Sequence, residues 1–131
     1  MLPAEVVREL RESWLPNASP AGLDRVIDLL EKGSPFLLSG RFTETLPRGC
    51  LATHIGWHHP AVAHRTFDAG ILWLTRVARL NPATSVVIRE WDRRGPQDWA
   101  FRTELLELLK EARGRSASPV SAAPSCEPAG V

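Results

Sequence analysis

Apolar side chains recur at helical spacing in the first third of the chain, in two successive blocks. The first block predicts a helix over residues 3–15, with an apolar residue at every fourth position. The second predicts a helix that is capped by Ser19, begins at Pro20 and ends at Gly33. The apolar stripes comprise Val6, Leu10, Trp14, Leu23, Val26, Ile27 and Leu30. Because the connection is short, the two helices are expected to pack as an antiparallel pair.

The hydrophobic pattern changes between residues 35 and 57, where the helical spacing is lost. Two short apolar runs, at 35–40 and 50–57, are separated by a segment that contains Pro47 and Gly49 and is typical of a turn. Short apolar runs on either side of a turn predict a β-hairpin in the middle of the chain.

Helical spacing returns at residue 60 and predicts a third helix over 60–80. Apolar side chains cover so much of its circumference that this helix is expected to be central to the core. Gly70 lies inside it, although glycine weakens a helix by about 1 kcal/mol relative to alanine. We therefore expect a neighbouring backbone to pack closely against Gly70.

The last two helices are predicted from their ends as much as from their periodicity. Residues 84–91 are rich in β-branched side chains, which favour a strand, but an Asn-Pro start and a following glycine favour a helix over 82–93. The helix is the preferred interpretation. A final helix is predicted from Pro96 to near Gly114.

Together these elements predict a mostly helical α+β fold. One domain over residues 1–114 is expected to contain about five helices and one central β-hairpin. Residues 115–131 consist mainly of Ser, Ala, Pro and Gly and show no periodicity. They are predicted to form a disordered tail, because they bury too little apolar area to offset the entropy of ordering them.

The composition limits the classes of partner and the cellular compartment that we expect for this chain. With a net charge of +1 over 131 residues, the chain lacks the basic excess of a nucleic-acid-binding protein, so no nucleic-acid partner is expected. Neither a membrane-spanning stretch nor a secretory signal is evident, which predicts a cytoplasmic protein without a membrane partner. The two cysteines, Cys50 and Cys126, lie in dissimilar segments, so no structural disulfide is predicted.

The four histidines all fall within eleven residues, and they are the main candidates for chemistry. Imidazole is the commonest metal ligand in proteins. The predicted site for a divalent metal such as zinc comprises His54, His58, His59, His64 and Asp68. The spacing matches no established zinc motif. The alternative is an exposed turn at residues 58–60, with His64 paired to Asp68 one helical turn away.

Cys50, His64 and Asp68 are the candidates for catalysis. A thiolate with a nearby imidazole is the minimum for a cysteine nucleophile. Within a strand, Cys50 and His54 would be about 13 Å apart, too far for a hydrogen bond. His64 would then act as the base, and Asp68 would orient it. The alternative is a small buried cysteine that behaves as an apolar residue.

Three functions remain open from the sequence. The first is a metal- or ligand-binding domain built on the histidine segment. The second is a protein-interaction module that uses a helical or tryptophan-rich surface, and the third is an enzyme that depends on Cys50. The partner, a small molecule or a protein, and the oligomeric state are not specified. Three arginines near the end of the fourth helix, Arg89, Arg93 and Arg94, are interpreted as a solvated face rather than an anion site.

Overall fold

Six α-helices and no β-strand are found in the part of the chain that the computed structural model describes. That part comprises residues 2–40, 42–43, 48–62, 68–95 and 97–122. The helices are α1 (Ala4–Glu9), α2 (Pro20–Lys32), α3 (Leu51–Trp57), α4 (Ala69–Leu72), α5 (Val86–Arg94) and α6 (Trp99–Ala122). Within these ranges, every helix is too short or too polar to cross a membrane.

The first two predicted helices are confirmed, but their expected packing as an antiparallel pair is not, because α2 packs mainly on α6 and α3. A π-helical turn, Leu10–Trp14, and a 3₁₀ turn, Leu15–Asn17, continue α1 without a break. Ser19 caps α2, since its Oγ accepts a hydrogen bond from the backbone N–H of Gly22 at 3.1 Å. Gly33 ends α2 with a φ of +60°, in the left-handed region that glycine adopts without strain.

The predicted central β-hairpin is wrong, and with it the α+β class. The second apolar run folds as helix α3, and the first is an irregular segment. Leu37 and Gly49 pair only through an isolated bridge. A short apolar run has no polar face from which its period can be read, so helix and strand look alike in the sequence. Burial on all sides of α3 removed the amphipathic pattern that would have identified it.

All seven residues of α3 are buried, and the helix packs between α2 and α4. The contact with α4 depends on two glycines. A Cβ on Gly56 would lie 2.7 Å from the carbonyl oxygen of Ala69, and a Cβ on Gly70 would lie 2.5 Å from Thr53 Oγ1. The close approach predicted at Gly70 is therefore confirmed, and the approaching backbone is that of α3.

The third predicted helix begins later than residue 60. Residues 60–62 form a turn, and α4 begins at Ala69 and continues through a π-helical turn, Trp73–Val77. Residues 63–67 lie outside the described part of the chain. The central position expected for this helix belongs to α3, because α3 is the segment covered on every side.

Helix rather than strand is confirmed for most of residues 84–91. Ser85 caps α5, with its Oγ accepting from the backbone N–H of Ile88 at 3.2 Å. Asp98 caps α6 in the same way through Phe101. The last helix runs past Gly114 to Ala122, later than its predicted end. Residues 123–131, the remainder of the predicted tail, lie outside the described residues.

A carboxylate from the first helix holds the start of α5. Glu9 accepts hydrogen bonds from Ser85 Oγ at 2.5 Å and from the backbone N–H of Val86 at 3.1 Å. It also accepts from Trp14 Nε1 at 2.9 Å. A negative charge at a helix N-terminus satisfies backbone donors and complements the helix dipole. Glu9 thus links two segments 76 residues apart.

Candidate binding groove and the histidine segment

His54 is a core residue of α3 with a structural contact. Its side chain is 1 % exposed, and its ring packs edge-on against Trp57 with centroids 5.1 Å apart. Nε2 lies 2.8 Å from the carbonyl oxygen of Phe36. Since a carbonyl oxygen only accepts, Nε2 carries the proton and donates. His54 therefore anchors the segment before α3 to the helix, and Trp57 belongs to the core.

The next two histidines are also engaged with the backbone. His58 Nδ1 lies 3.4 Å from the carbonyl oxygen of His54, and His59 Nδ1 accepts from the backbone N–H of Ala61 at 3.0 Å. Each of these contacts uses Nδ1, and metal-ligating histidines make such contacts through the nitrogen that does not bind the metal. The segment after α3 is thus a hydrogen-bonded turn with two partly buried imidazoles.

The remaining two predicted metal ligands are separated from the rest by undescribed chain. His64 lies outside the described residues, and Asp68 is an exposed residue directly before α4. The contact between Gly56 and Ala69 brings the segment near Asp68 close to the end of α3. Among the residues described, no three His, Cys, Asp or Glu side chains are grouped to hold a metal ion. The five-residue metal site stays a prediction.

Cys50 is enclosed at the start of α3. The residue is 2 % exposed, and its Sγ lies 3.7 Å from Thr53 Oγ1. Burial raises the pKa of the Cys50 thiol from 9.0 to about 11, with hydrogen bonds from Thr53 opposing part of that effect. At neutral pH the group is a covered thiol rather than a thiolate, so this arrangement does not activate it as a nucleophile.

The arginines near the end of α5 are paired with carboxylates. Glu90 is 8 % exposed and accepts from Arg93 and Arg94. These hydrogen bonds lower the pKa of the Glu90 carboxyl below its usual value. Arg89 lies 3.7 Å from Glu5. All three guanidinium groups thus have an acidic partner, and the interpretation as a solvated face holds for Arg89 and Arg93 but not for Arg94, whose side chain is 20 % exposed.

The structure contains a groove that was not predicted from the sequence. It lies between α6 and the first helix with its continuing turns. It consists of two neighbouring depressions, of about 490 and 420 Å³. The first is lined by Leu2, Val7, Arg11, Glu104, Glu107, Leu108 and Glu111, and the second by Arg11, Leu15, Pro16, Ala18, Ala112 and Arg115. Arg11 lines both depressions, so they form one elongated surface.

The first depression exposes mainly apolar surface, the second exposes somewhat more polar than apolar surface, and the charges around the two differ in sign. Three carboxylates and one guanidinium surround the first depression, whereas two guanidinium groups flank the second. Arg11 and Glu111 form an ion pair of 3.5 Å across the groove, and both side chains are about half exposed. Glu111 also lies 3.3 Å from Arg115. The acidic end of the groove is therefore the one near Leu2.

The exposed large apolar side chains lie elsewhere. Phe36 and Ile71 are each 38 % exposed and Trp99 is 72 % exposed, and none of them lines either depression. Arg102 covers one face of Trp99, with the guanidinium carbon 5.3 Å from the ring centroid. Isolated apolar side chains of this kind are ordinary on a protein surface and do not define a site.

Comparisons of the chain with protein-family models, with curated proteins and with solved structures find no match. Function is therefore inferred from the geometry of this chain. The groove was hidden from the sequence because its walls lie about a hundred residues apart. The sequence marks only the acidic wall of the groove, because Glu104, Glu107 and Glu111 recur at intervals of three and four residues and so share one face of a helix.

Proposed function

We propose that this chain is a protein-interaction module that binds a helical segment of another protein in the groove between the first helix and α6. The observation that carries the proposal is the shape of the groove: two adjacent depressions that share Arg11, each with apolar side chains in its lining and charged side chains at its rim. Amphipathic helices bind in grooves of this kind, with apolar side chains in the floor and polar contacts at the rim.

The length of the groove favours a protein segment over a small molecule. Its α6 wall extends from Glu104 to Arg115, which corresponds to about 16 Å at 1.5 Å per residue. Three turns of a helix have the same length. A small ligand usually binds in one enclosed pocket that covers most of its surface, whereas this surface is open and is divided by the Arg11–Glu111 ion pair.

Opening the groove requires little energy. The Arg11 and Glu111 side chains are 48 % and 49 % exposed, and exposed ion pairs contribute at most about 1 kcal/mol. A partner helix can therefore displace this pair without a large loss of stability. The floor residues Leu2, Leu15 and Leu108 already belong to the core, so the floor is formed before binding.

The chemistry of the other two hypotheses has weaker support. No three possible metal ligands are grouped among the described residues, and Cys50 is a covered thiol. The metal prediction is tested separately by the zinc content of the purified chain. About one zinc per chain, together with a zinc-dependent rise in melting temperature, would favour the histidine site, and zinc near zero would exclude it.

The proposed function is tested by selecting binders from a displayed library of amphipathic helical peptides. Val7, which is partly buried in the first depression, is replaced by aspartate in the test variant, and the exposed Ile71 outside the groove is replaced in the control. We expect Val7→Asp to weaken binding of the selected peptides at least tenfold and Ile71→Asp to change it less than twofold. A library that yields no peptide sensitive to Val7→Asp would contradict the proposal.

A further inference from the structure

We infer that the bound segment is an amphipathic helix with two apolar anchors seven residues apart and a basic residue beside the anchor nearest Leu2. This inference rests on the proposed function and specifies the partner of the same groove. It follows from two independent observations, the spacing of the two depressions and the uneven distribution of charge around them.

The spacing sets the distance between the anchors. The α6 residues that line the first depression lie between Glu104 and Glu111, and those that line the second are Ala112 and Arg115. The centres of the two sets are about six residues apart, or roughly 9 Å along the helix axis. On a partner helix, side chains at i and i+7 are about 10.5 Å apart, and those at i and i+4 only about 6 Å. The i, i+7 spacing is the closer match.

The charges around the groove determine where the partner helix carries a basic residue. Glu104, Glu107 and Glu111 surround the first depression. Glu111 is paired with Arg11 and Arg115, whereas exposed Glu107 forms no ion pair with any residue in the described ranges. A lysine or arginine of the partner complements this carboxylate, which raises the association rate and fixes the orientation.

The opposite end of the groove disfavours a second basic residue. Among the described residues, Arg11 and Arg115 line the second depression and no carboxylate does. A basic side chain there would face like charges, whereas a neutral or acidic one would not. The partner helix therefore binds in one direction, with its two anchors on either side of the Arg11–Glu111 ion pair.

The inference is tested with four stapled helical peptides of about fifteen residues on a neutral Ala/Gln background. They carry two leucines at i, i+7 or at i, i+4, and either lysine or glutamate beside the first leucine. Binding to the full chain is measured by fluorescence anisotropy at low and physiological salt. We expect the i, i+7 lysine peptide to bind at least tenfold more tightly than each of the others, with a smaller difference at higher salt.

Charge reversal tests which rim residue is responsible. We expect Glu107→Lys to reverse the preference, so that the i, i+7 glutamate peptide becomes the tighter ligand. Glu12→Lys, which changes an exposed carboxylate outside both depressions, should leave the preference unchanged. Equal binding of the i, i+4 peptide in the groove, or a preference that Glu107→Lys does not alter, would overturn the inference and leave the proposed function standing. If no peptide of the set binds in the groove and library selection also yields none, both the inference and the proposed function are contradicted.

Discussion

Cys50 and the histidines show how burial decides what a reactive side chain does. Residue type alone made these groups candidates for chemistry. In the fold, His54 and Cys50 are covered by the core, and a ring nitrogen of His54 is used in a contact to Phe36. A thiol enclosed in this way contributes mainly to stability, and that contribution depends on pH.

The buried thiol predicts a loss of stability at alkaline pH. Because the pKa of Cys50 is raised from 9.0 to about 11 in the fold, the folded state holds this proton more tightly than the unfolded state. The contribution is complete below pH 9 and is lost as pH rises towards 11, on the order of 2 kcal/mol by pH 10.5. Urea unfolding of a Cys126→Ser chain at pH 8 and pH 10.5 measures it.

The matched control removes the thiol. In a Cys50→Ala, Cys126→Ser chain, the fall in the free energy of unfolding between the two pH values should be smaller by about the same amount. A fall of equal size in both chains would show that Cys50 makes no such contribution. Reaction of Cys50 with a thiol reagent should likewise be slow at neutral pH in the native chain and fast in denaturant.

At the scale of elements, the helices that could be predicted are those with a solvent-facing side. The amphipathic pattern and the capping residues identified α1, α2 and α5. Helix α3 has no exposed side, so its residues show no period, and its apolar run was interpreted as a strand. The close packing at Gly70 was predicted because glycine weakens a helix interior and is therefore expected where a side chain would not fit. The sequence did not reveal which backbone packs against it.

Two helical glycines should respond in opposite ways to the same substitution. In Gly70→Ala, the new Cβ would lie 2.5 Å from Thr53 Oγ1 and 2.8 Å from the backbone nitrogen of Thr53, closer than ordinary packing permits, so we expect a loss of about 1–3 kcal/mol. In Gly114→Ala, the new Cβ meets no atom of the described residues within 4 Å beyond its own helix backbone and chain neighbours, and the higher helix propensity should stabilise the chain by about 0.5–1 kcal/mol.

Thermal and chemical unfolding of both alanine variants measure these effects. The comparison also tests whether α6 continues past residue 114, because alanine gains nothing over glycine in helix propensity where the chain is not helical. A Gly70→Ala chain as stable as the original would contradict the packing of α4 on α3. A destabilised Gly114→Ala chain would contradict the continuous helix.

At the scale of the molecule, contacts between distant segments define both the core and the proposed site. Glu9 caps α5 across 76 residues, and the groove joins residues near the start of the chain to α6. Neither could be predicted, because local spacing carries no information about which helices become neighbours. The candidate site that could be read from the sequence, the histidine segment, was the one formed by residues close together along the chain.

The Glu9 cap predicts a large effect from a partly exposed residue. Glu9→Ala removes the acceptor for Ser85, Val86 and Trp14, leaving buried donors without a partner, so we expect a loss of about 2–4 kcal/mol. Glu12→Ala, at an exposed position in the same stretch, should stay within about 0.5 kcal/mol. Urea denaturation of both variants measures the loss in the free energy of unfolding. Equal losses in the two variants would show that the Glu9 cap contributes little.

The enclosure of α3 also bears on how this protein changes over evolution. A segment without a solvent-facing position accepts few replacements, because each new side chain meets the core on some side. His54 should therefore resist substitution among related sequences for reasons of packing alone. In an alignment, such a histidine would be indistinguishable from a catalytic one. Invariance of His54 would therefore not by itself be evidence of chemistry at this position.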